Sequence, residues 1–158
     1  IDRNAIELVT SLPTVFRYEE AHRPEHSIEV HLPFLQIALD DFTLVPIVVG
    51  SAAPEEVAEV IELLWGGDET AIAVSSDLSH YHDYETAKKM DADTSAAIIA
   101  LDDHGLRAEQ ACGHTAIQGL LRAARTRGLQ GEQLDLLNSG DTNGNRSQVV
   151  GYGAYTFN

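Results

Sequence analysis

Two short apolar runs, Leu44-Val45-Pro46-Ile47-Val48-Val49-Gly50 and Ala71-Ile72-Ala73-Val74, bracket an amphipathic segment. Their order constrains the fold more than any other feature of the chain. Wholly apolar runs of this length read as strands buried on both faces, as in a parallel sheet. Pro46 has no N–H to donate, which favours a strand end, edge or bulge there. Between the runs, Pro54 suits the first turn of a helix, Glu55 and Glu56 complement its dipole, and Val57, Val60, Ile61 and Leu64 form one stripe. Gly66-Gly67 then stops it. Strand, helix, strand in this order predicts an α/β fold, a sheet with helices on both faces.

The rest of the chain continues the alternation. Ile6, Leu8, Val9 and Leu12 mark a short helix over residues 2–11, ended by Pro13. Val15-Phe16-Arg17-Tyr18 reads as a brief strand. Ser27 precedes Ile28, Leu32, Leu35 and Leu39 at helical spacing, and Pro33 inside that pattern predicts a kink or two consecutive short helices. Helices are expected from about Glu85 to Ala100 and from about Thr115 to Thr126, the second ending at Gly128. Leu134–Leu137 and Val149–Phe157 read as closing strands around a polar loop, Asn138–Gln148. With no internal repeat and no Pro-, Gly- or Ser-rich linker, residues 1–158 read as one domain.

Charge excludes some function classes. Ten Lys and Arg face 25 Asp and Glu, a net charge of −15. Nucleic acid and anionic membrane surfaces need clustered cations, so neither is an expected partner. A single cysteine, Cys112, rules out an intrachain disulfide and any multi-cysteine metal cage within the chain. No apolar run is long enough to span a bilayer, and Ile1-Asp2-Arg3-Asn4 lacks the pattern of a signal peptide. A cytoplasmic protein is the expectation. The start at isoleucine reads as a processed, excised or incomplete chain.

Three clusters carry potential chemistry. Ser75-Ser76-Asp77-Leu78-Ser79-His80-Tyr81-His82 follows directly on an apolar run, which places Asp77, His80 and His82 at the carboxyl end of a strand, where α/β sheets gather their chemistry. A histidine within reach of an aspartate is held in one tautomer, which suits proton transfer or metal coordination. The alternative is that Asp77 and Ser79 cap a turn and the histidines are simply exposed. Cys112 lies at the entrance of the helix carrying Ile117, Leu120, Leu121 and Ala124, with Gly113 and His114 beside it. A thiol there sees oriented N–H groups that favour the thiolate, a nucleophile, redox centre or soft metal ligand; the alternative is a buried small hydrophobe. The third cluster is Glu25-His26-Ser27-Ile28-Glu29-Val30-His31, with His22 upstream. On a helix His22 and His26 would share a face, but Pro24 disfavours helix at Arg23. A substrate-contacting role for His26 fits better than ligation, against the alternative of a polar helix face. Asp141-Thr142-Asn143-Gly144-Asn145 lacks the later bidentate glutamate of a calcium loop and reads as a turn. The glycine-rich phosphate-binding patterns are absent, so nothing supports nucleotide binding.

The order of these clusters is specific. Glu25-His26-Ser27-Ile28-Glu29-Val30-His31-Leu32-Pro33, then Ser75-Ser76-Asp77-Leu78-Ser79-His80, then Cys112-Gly113, with Asn138-Ser139-Gly140-Asp141 and Val149-Val150-Gly151-Tyr152 in the tail, resembles the Memo family, in particular its bacterial and archaeal members. The resemblance implies a fold similar to the class III extradiol dioxygenases and a metal-binding, redox-linked protein using iron or copper. It implies Cys112 as a metal ligand, His80 as the acid–base histidine with Asp77 as its neighbour, and His26 and His31 lining the pocket. It also implies a small-molecule or peptide ligand, and association with radical SAM and AMMECR-type proteins. The family's two other metal-ligand histidines lie in His-Ala-Gly-Tyr and Gly-Pro-Ser-His motifs, and neither motif occurs in these 158 residues. The chain therefore resembles the C-terminal half to two-thirds of a Memo protein, with N-terminal strands missing. Weak or absent metal binding by this chain alone is the expectation, as is edge-to-edge association into a homo-oligomer. The competing expectation is a non-catalytic binding module, or a structural partner of the radical SAM machinery.

Overall fold

The helix ends are written locally. In the structure, a computed structural model that describes residues 1–142 and 144–158, Asp2 Oδ1 accepts the Ala5 N–H at 2.9 Å and opens α1 (Arg3–Val9). Asp83 Oδ1 does the same for Thr86 at 3.1 Å, opening α5 (Tyr84–Ile99). Each aspartate satisfies one of the N–H groups that a first turn leaves without an intrahelical partner. Pro54 starts α4 (Pro54–Leu64), and Glu56 Oε2 reaches back to the Ala53 N–H at 2.7 Å. Glu19–His22 forms α2, and α3 (Leu32–Ala38) begins with Pro33 in its first turn, preceded by turns rather than helix. The pattern from Ser27 to Leu39 is thus divided at Pro33, as its missing N–H requires. His114–Thr126 forms α6 and Ser139–Thr142 the short α7.

Three strands complete the fold: β1 (His80–His82), β2 (Gly131–Asn138) and β3 (Val149–Phe157). They form a sheet in the order β1-β3-β2, both pairings antiparallel. Gly131 lies opposite Phe157 and Asn138 opposite Gly151, so β2 and β3 form the pair of closing strands expected from sequence. The α/β fold class stands. The expected loop between them holds α7, and the expected turn at Asp141–Asn145 includes Asn143, which lies outside the described residues.

Other strand expectations need correction. Residues 15–18, 44–50 and 71–74 have no regular secondary structure and belong to no sheet. An apolar run makes a strand only when a neighbour completes its ladder of hydrogen bonds, and among the described residues no strand runs beside these segments. They still contribute side chains to packing: Val49 and Ile72 lie against a core cluster of Val57 and Ile61 from α4 and Ala123 from α6. The helices approach closely there. A Cβ at Gly119 would stand 2.4 Å from Val57 Cγ1, so glycine lets α6 meet α4. The larger cluster joins Leu78, Ile98, Leu106, Ala111, Ile117 and Leu121, with Leu136, Tyr155 and Phe157 from the sheet packed against it. Leu78 thus holds the segment between Asp77 and His80 to the core.

The connection from α5 to α6 is fastened by charge. Asp103, 1% exposed, stands 2.7 Å from Arg122 Nε and accepts from Arg125 Nη1 at 2.8 Å. Gln118 Nε2 donates to the Asp103 carbonyl at 2.9 Å. Burial alone pushes the Asp103 carboxyl up, but the Arg125 hydrogen bond and the two guanidinium charges outweigh it and hold the group below the usual carboxylate range. These contacts settle the loop that leads to Cys112.

Candidate metal centre

Cys112 precedes α6 by two positions, with Gly113 as the N-cap residue. Its thiol is exposed, which removes the reading of a buried small hydrophobe. The first-turn N–H groups of α6 are not its recorded partners. Sγ accepts instead from the main-chain N–H of Asp77 at 3.3 Å and lies 3.5 Å from Ser76 Oγ. Ser76 Oγ also accepts from the Gly113 N–H at 2.9 Å. The serine therefore ties the α6 entrance to the segment that carries Asp77.

His80 enters from β1 at the edge of the sheet. The sequence placed it at the end of a parallel strand; it lies instead in an antiparallel edge strand, because Val150 and Val149 of β3 pair with His80 and His82. The pairing is irregular: His80 lies opposite Val150 and His82 opposite Val149, so Tyr81 is unpaired in a bulge, with φ of 60°. Bulges of this kind re-aim side chains beside functional sites. His80 Nε2 stands 3.4 Å from Asp77 Oδ2, with the histidine side chain one-third and the aspartate about half exposed.

One donor atom from each of Asp77, His80 and Cys112 lies within 4.8 Å of the other two. That spacing brackets a divalent cation with bonds of about 2.0–2.3 Å. The set combines sulfur, imidazole nitrogen and carboxylate oxygen, a mixture that suits zinc, copper or iron rather than magnesium or calcium. The residues fit a transition metal.

The other sequence candidates are distributed unevenly. His31 reaches the segment, its Nε2 3.0 Å from Ser75 Oγ. His26 is not one of the three clustered donors; it lies on an exposed turn with Nδ1 2.6 Å from Glu29 Oε1. Glu25, in the same turn, accepts the Ser27 N–H, which holds its carboxyl below the usual range. His82 is likewise outside the cluster. The helix α2 ends at His22, so His22 and His26 share no helical face. His114 Nε2 contacts Thr115 Oγ1 at 3.3 Å and is not a recorded partner of the thiol.

A groove of about 570 Å³ adjoins the cluster, lined by His31 and Ser76 and by the apolar Ile72, Val74, Ile117 and Phe157. One residue escaped the sequence reading. Asp91 of α5 is 2% exposed and accepts the Ser79 N–H at 3.0 Å. The signal was present: Asp91 falls on the same helical stripe as Ala87, Thr94, Ser95 and Ile98, all buried, and a carboxylate on an inward stripe needs a reason.

The fold and the clustered donors together define an α/β protein with a candidate metal site, and comparison with known proteins identifies its family. A profile described as Memo-like protein matches residues 1–156. The chain is 38% identical to a MEMO1 family protein of Methanosarcina barkeri over 149 residues, covering 86% of this chain and 56% of that protein. It is 34% identical over 165 residues to one of Archaeoglobus fulgidus (96% and 62%) and 36% identical over 159 residues to one of Thermoplasma acidophilum (96% and 59%). This chain belongs to the Memo family. It spans between half and two-thirds of the length of these curated relatives. The family's fold is that of the class III extradiol dioxygenases, in agreement with the sequence reading. No helix among the described residues is long and apolar enough to cross a membrane.

Proposed function

We propose that the protein is a metal-dependent redox protein of dioxygenase-like type, with its centre at Cys112, His80 and Asp77. The convergence of those three donors, from a loop, a strand edge and a helix entrance, carries this reading. Cys112 Sγ is the soft ligand for iron or copper. A bound ion of either metal supplies one-electron and O₂ chemistry that side chains lack. His80 is the acid–base group. When its Nε2 proton is directed at Asp77 Oδ2, its basic lone pair sits on Nδ1. Asp77 orients the ring and stabilises its protonated form. His31, linked to Ser75, lines the approach from the groove.

The test is metal content and turnover. Iron and copper are measured by plasma mass spectrometry in the intact protein and in its Cys112→Ser variant after anaerobic reconstitution. Expected is bound metal in the wild type and a clear loss in the variant; equal occupancy removes Cys112 from the ligand set. O₂ uptake with catechols then distinguishes His80→Ala, which keeps the thiol but loses the proton acceptor.

The groove favours a second reading, a module that binds a small apolar or peptide ligand without turnover. Its apolar walls and a few polar lining groups give a site of ordinary ligand-pocket size. Saturable ligand binding by metal-free protein, with no metal-dependent O₂ uptake, would favour that reading.

A further inference from the structure

Asp77 and His80 act together only if the chain between them holds one conformation. Three consecutive peptide groups separate them, and each is pinned. The Leu78 N–H donates to the Gly151 carbonyl at 2.9 Å, and the Gly151 N–H donates to the Ser79 carbonyl at 2.9 Å. These bonds fix the first and third peptides to β3. The middle peptide, between Leu78 and Ser79, turns its N–H away from β3 and into the protein. There it meets Asp91 Oδ1 at 3.0 Å.

The carboxylate that receives it is unusual. Asp91 is 2% exposed and Ser79 fully enclosed, and Asp91 Oδ2 has no hydrogen-bond partner among the described residues. Among the described residues Asp91 forms no ion pair either. Enclosing a carboxylate with one hydrogen bond is costly, and a neutral acceptor or an apolar residue would serve packing better. The surroundings also make room for it. A Cβ at Gly151 would stand 2.1 Å from Asp91 Oδ2, so only glycine lets β3 pass over the carboxylate while its own backbone holds Leu78 and Ser79.

We propose that Asp91 is a positioning residue for the candidate metal centre: its buried carboxylate sets the middle peptide of the Asp77–His80 segment, and with Gly151 fixes the distance between those two side chains. Asp91 touches neither metal nor substrate. The proposal rests on the reading of Asp77, His80 and Cys112 as one centre, and the experiment separates the two ideas.

Amide hydrogen exchange by NMR is measured on the metal-free protein, and cobalt(II) affinity is followed by the thiolate-to-cobalt absorption band. In the wild type the Ser79 amide is expected to exchange slowly; exchange at the rate of an exposed loop overturns the proposal without any variant. Asp91→Ala is expected to lose that protection and to weaken cobalt binding by about tenfold, the low end for loss of a group supporting a ligand. Asp91→Asn keeps an acceptor and is expected to recover most of both. Gly151→Ala leaves the carboxylate in the chain but pushes it aside, and is expected to behave like Asp91→Ala. If Asp91→Ala does not fold, Gly151→Ala and Asp91→Asn decide. A folded Asp91→Ala or Gly151→Ala with wild-type Ser79 protection and wild-type cobalt affinity overturns the proposal. Failure of the wild type to bind cobalt removes the metal reading alone, since Ser79 protection in the metal-free protein still tests the hold of Asp91 on the segment.

Discussion

Asp77 and Cys112, 35 positions apart in the chain, are joined by three hydrogen bonds: the Asp77 N–H donates to Cys112 Sγ at 3.3 Å, and the Cys112 N–H and thiol donate to the Asp77 carbonyl at 3.3 and 3.8 Å. The thiol is therefore placed by the backbone of the residue whose side chain faces His80. A displacement of either segment moves all three donors. Geometry of this kind keeps a small site within the tolerance that coordination requires.

The exposed thiol provides a direct reading of occupancy. Iodoacetamide is expected to alkylate Cys112, the single cysteine of the chain, and alkylation should abolish cobalt binding. Bound cobalt should in turn protect the thiol. Equal alkylation rates with and without saturating cobalt would show that the sulfur is not a ligand.

Asp103 gives the stability of the fold a defined pH dependence. Its folded pKa lies below its unfolded value, so its contribution is present above the unfolded pKa, near the usual 3.9 for aspartate. That contribution is lost as pH falls through the lower folded value. Asp103→Asn should cost about 2 kcal/mol at neutral pH, through one weakened charge-assisted hydrogen bond to Arg125 and the lost ion pair with Arg122. Thermal melts should show the gap between wild type and variant steady from pH 7 to 5 and closing below pH 4. A gap that widens on acidification contradicts the assignment.

Tyr81 sits at φ of 60° between two histidines, a conformation that costs a bulky residue about 1–2 kcal/mol. Tyr81→Gly should therefore raise the melting temperature by a few degrees at this chain length, whereas Tyr81→Val should lower it, since a β-branched residue tolerates that backbone least. If valine and glycine melt alike, the bulge is not held at positive φ in solution.

The contact of Gly119 with Val57 predicts a size limit. Gly119→Ala gains helix propensity of about 1 kcal/mol, but its Cβ would meet Val57 at under 3 Å. Overpacking of this kind costs about 1–3 kcal/mol, so the net effect should be a loss of stability. Val57→Ala in the same chain should make Gly119→Ala neutral or stabilising. A double-mutant cycle by urea denaturation measures the coupling; additive effects would mean that α4 and α6 do not meet there.

Much of the secondary structure was legible because its causes are local. Pro54, Glu55, Glu56 and the Val57–Leu64 stripe marked α4 correctly, and α5 and α6 lie within a residue or two of their expected limits. The site was legible in part. Asp77, His80 and Cys112 were chosen on residue type and resemblance, and they converge, while His26, expected to line the same pocket, lies on an exposed turn beside Glu29. Asp91 was passed over although it falls on the buried stripe of Ala87, Thr94, Ser95 and Ile98, because the polar Thr94 and Ser95 on that stripe make it resemble a solvated face.

What the chain settles by itself is where helices start and stop, which faces are apolar, and which side chains bring sulfur, imidazole and carboxylate chemistry. These follow from caps, prolines and periodicity within a few residues. Which extended segments pair, and which distant donors share one site, only the tertiary structure decides. Residues 44–50 and 71–74 are apolar enough for strands yet remain unpaired, because a ladder depends on a partner far away in sequence. Cys112 faces Asp77 rather than the helix it precedes because the packing of Leu78, Ala111 and Ile117 in one core brings those two backbones together.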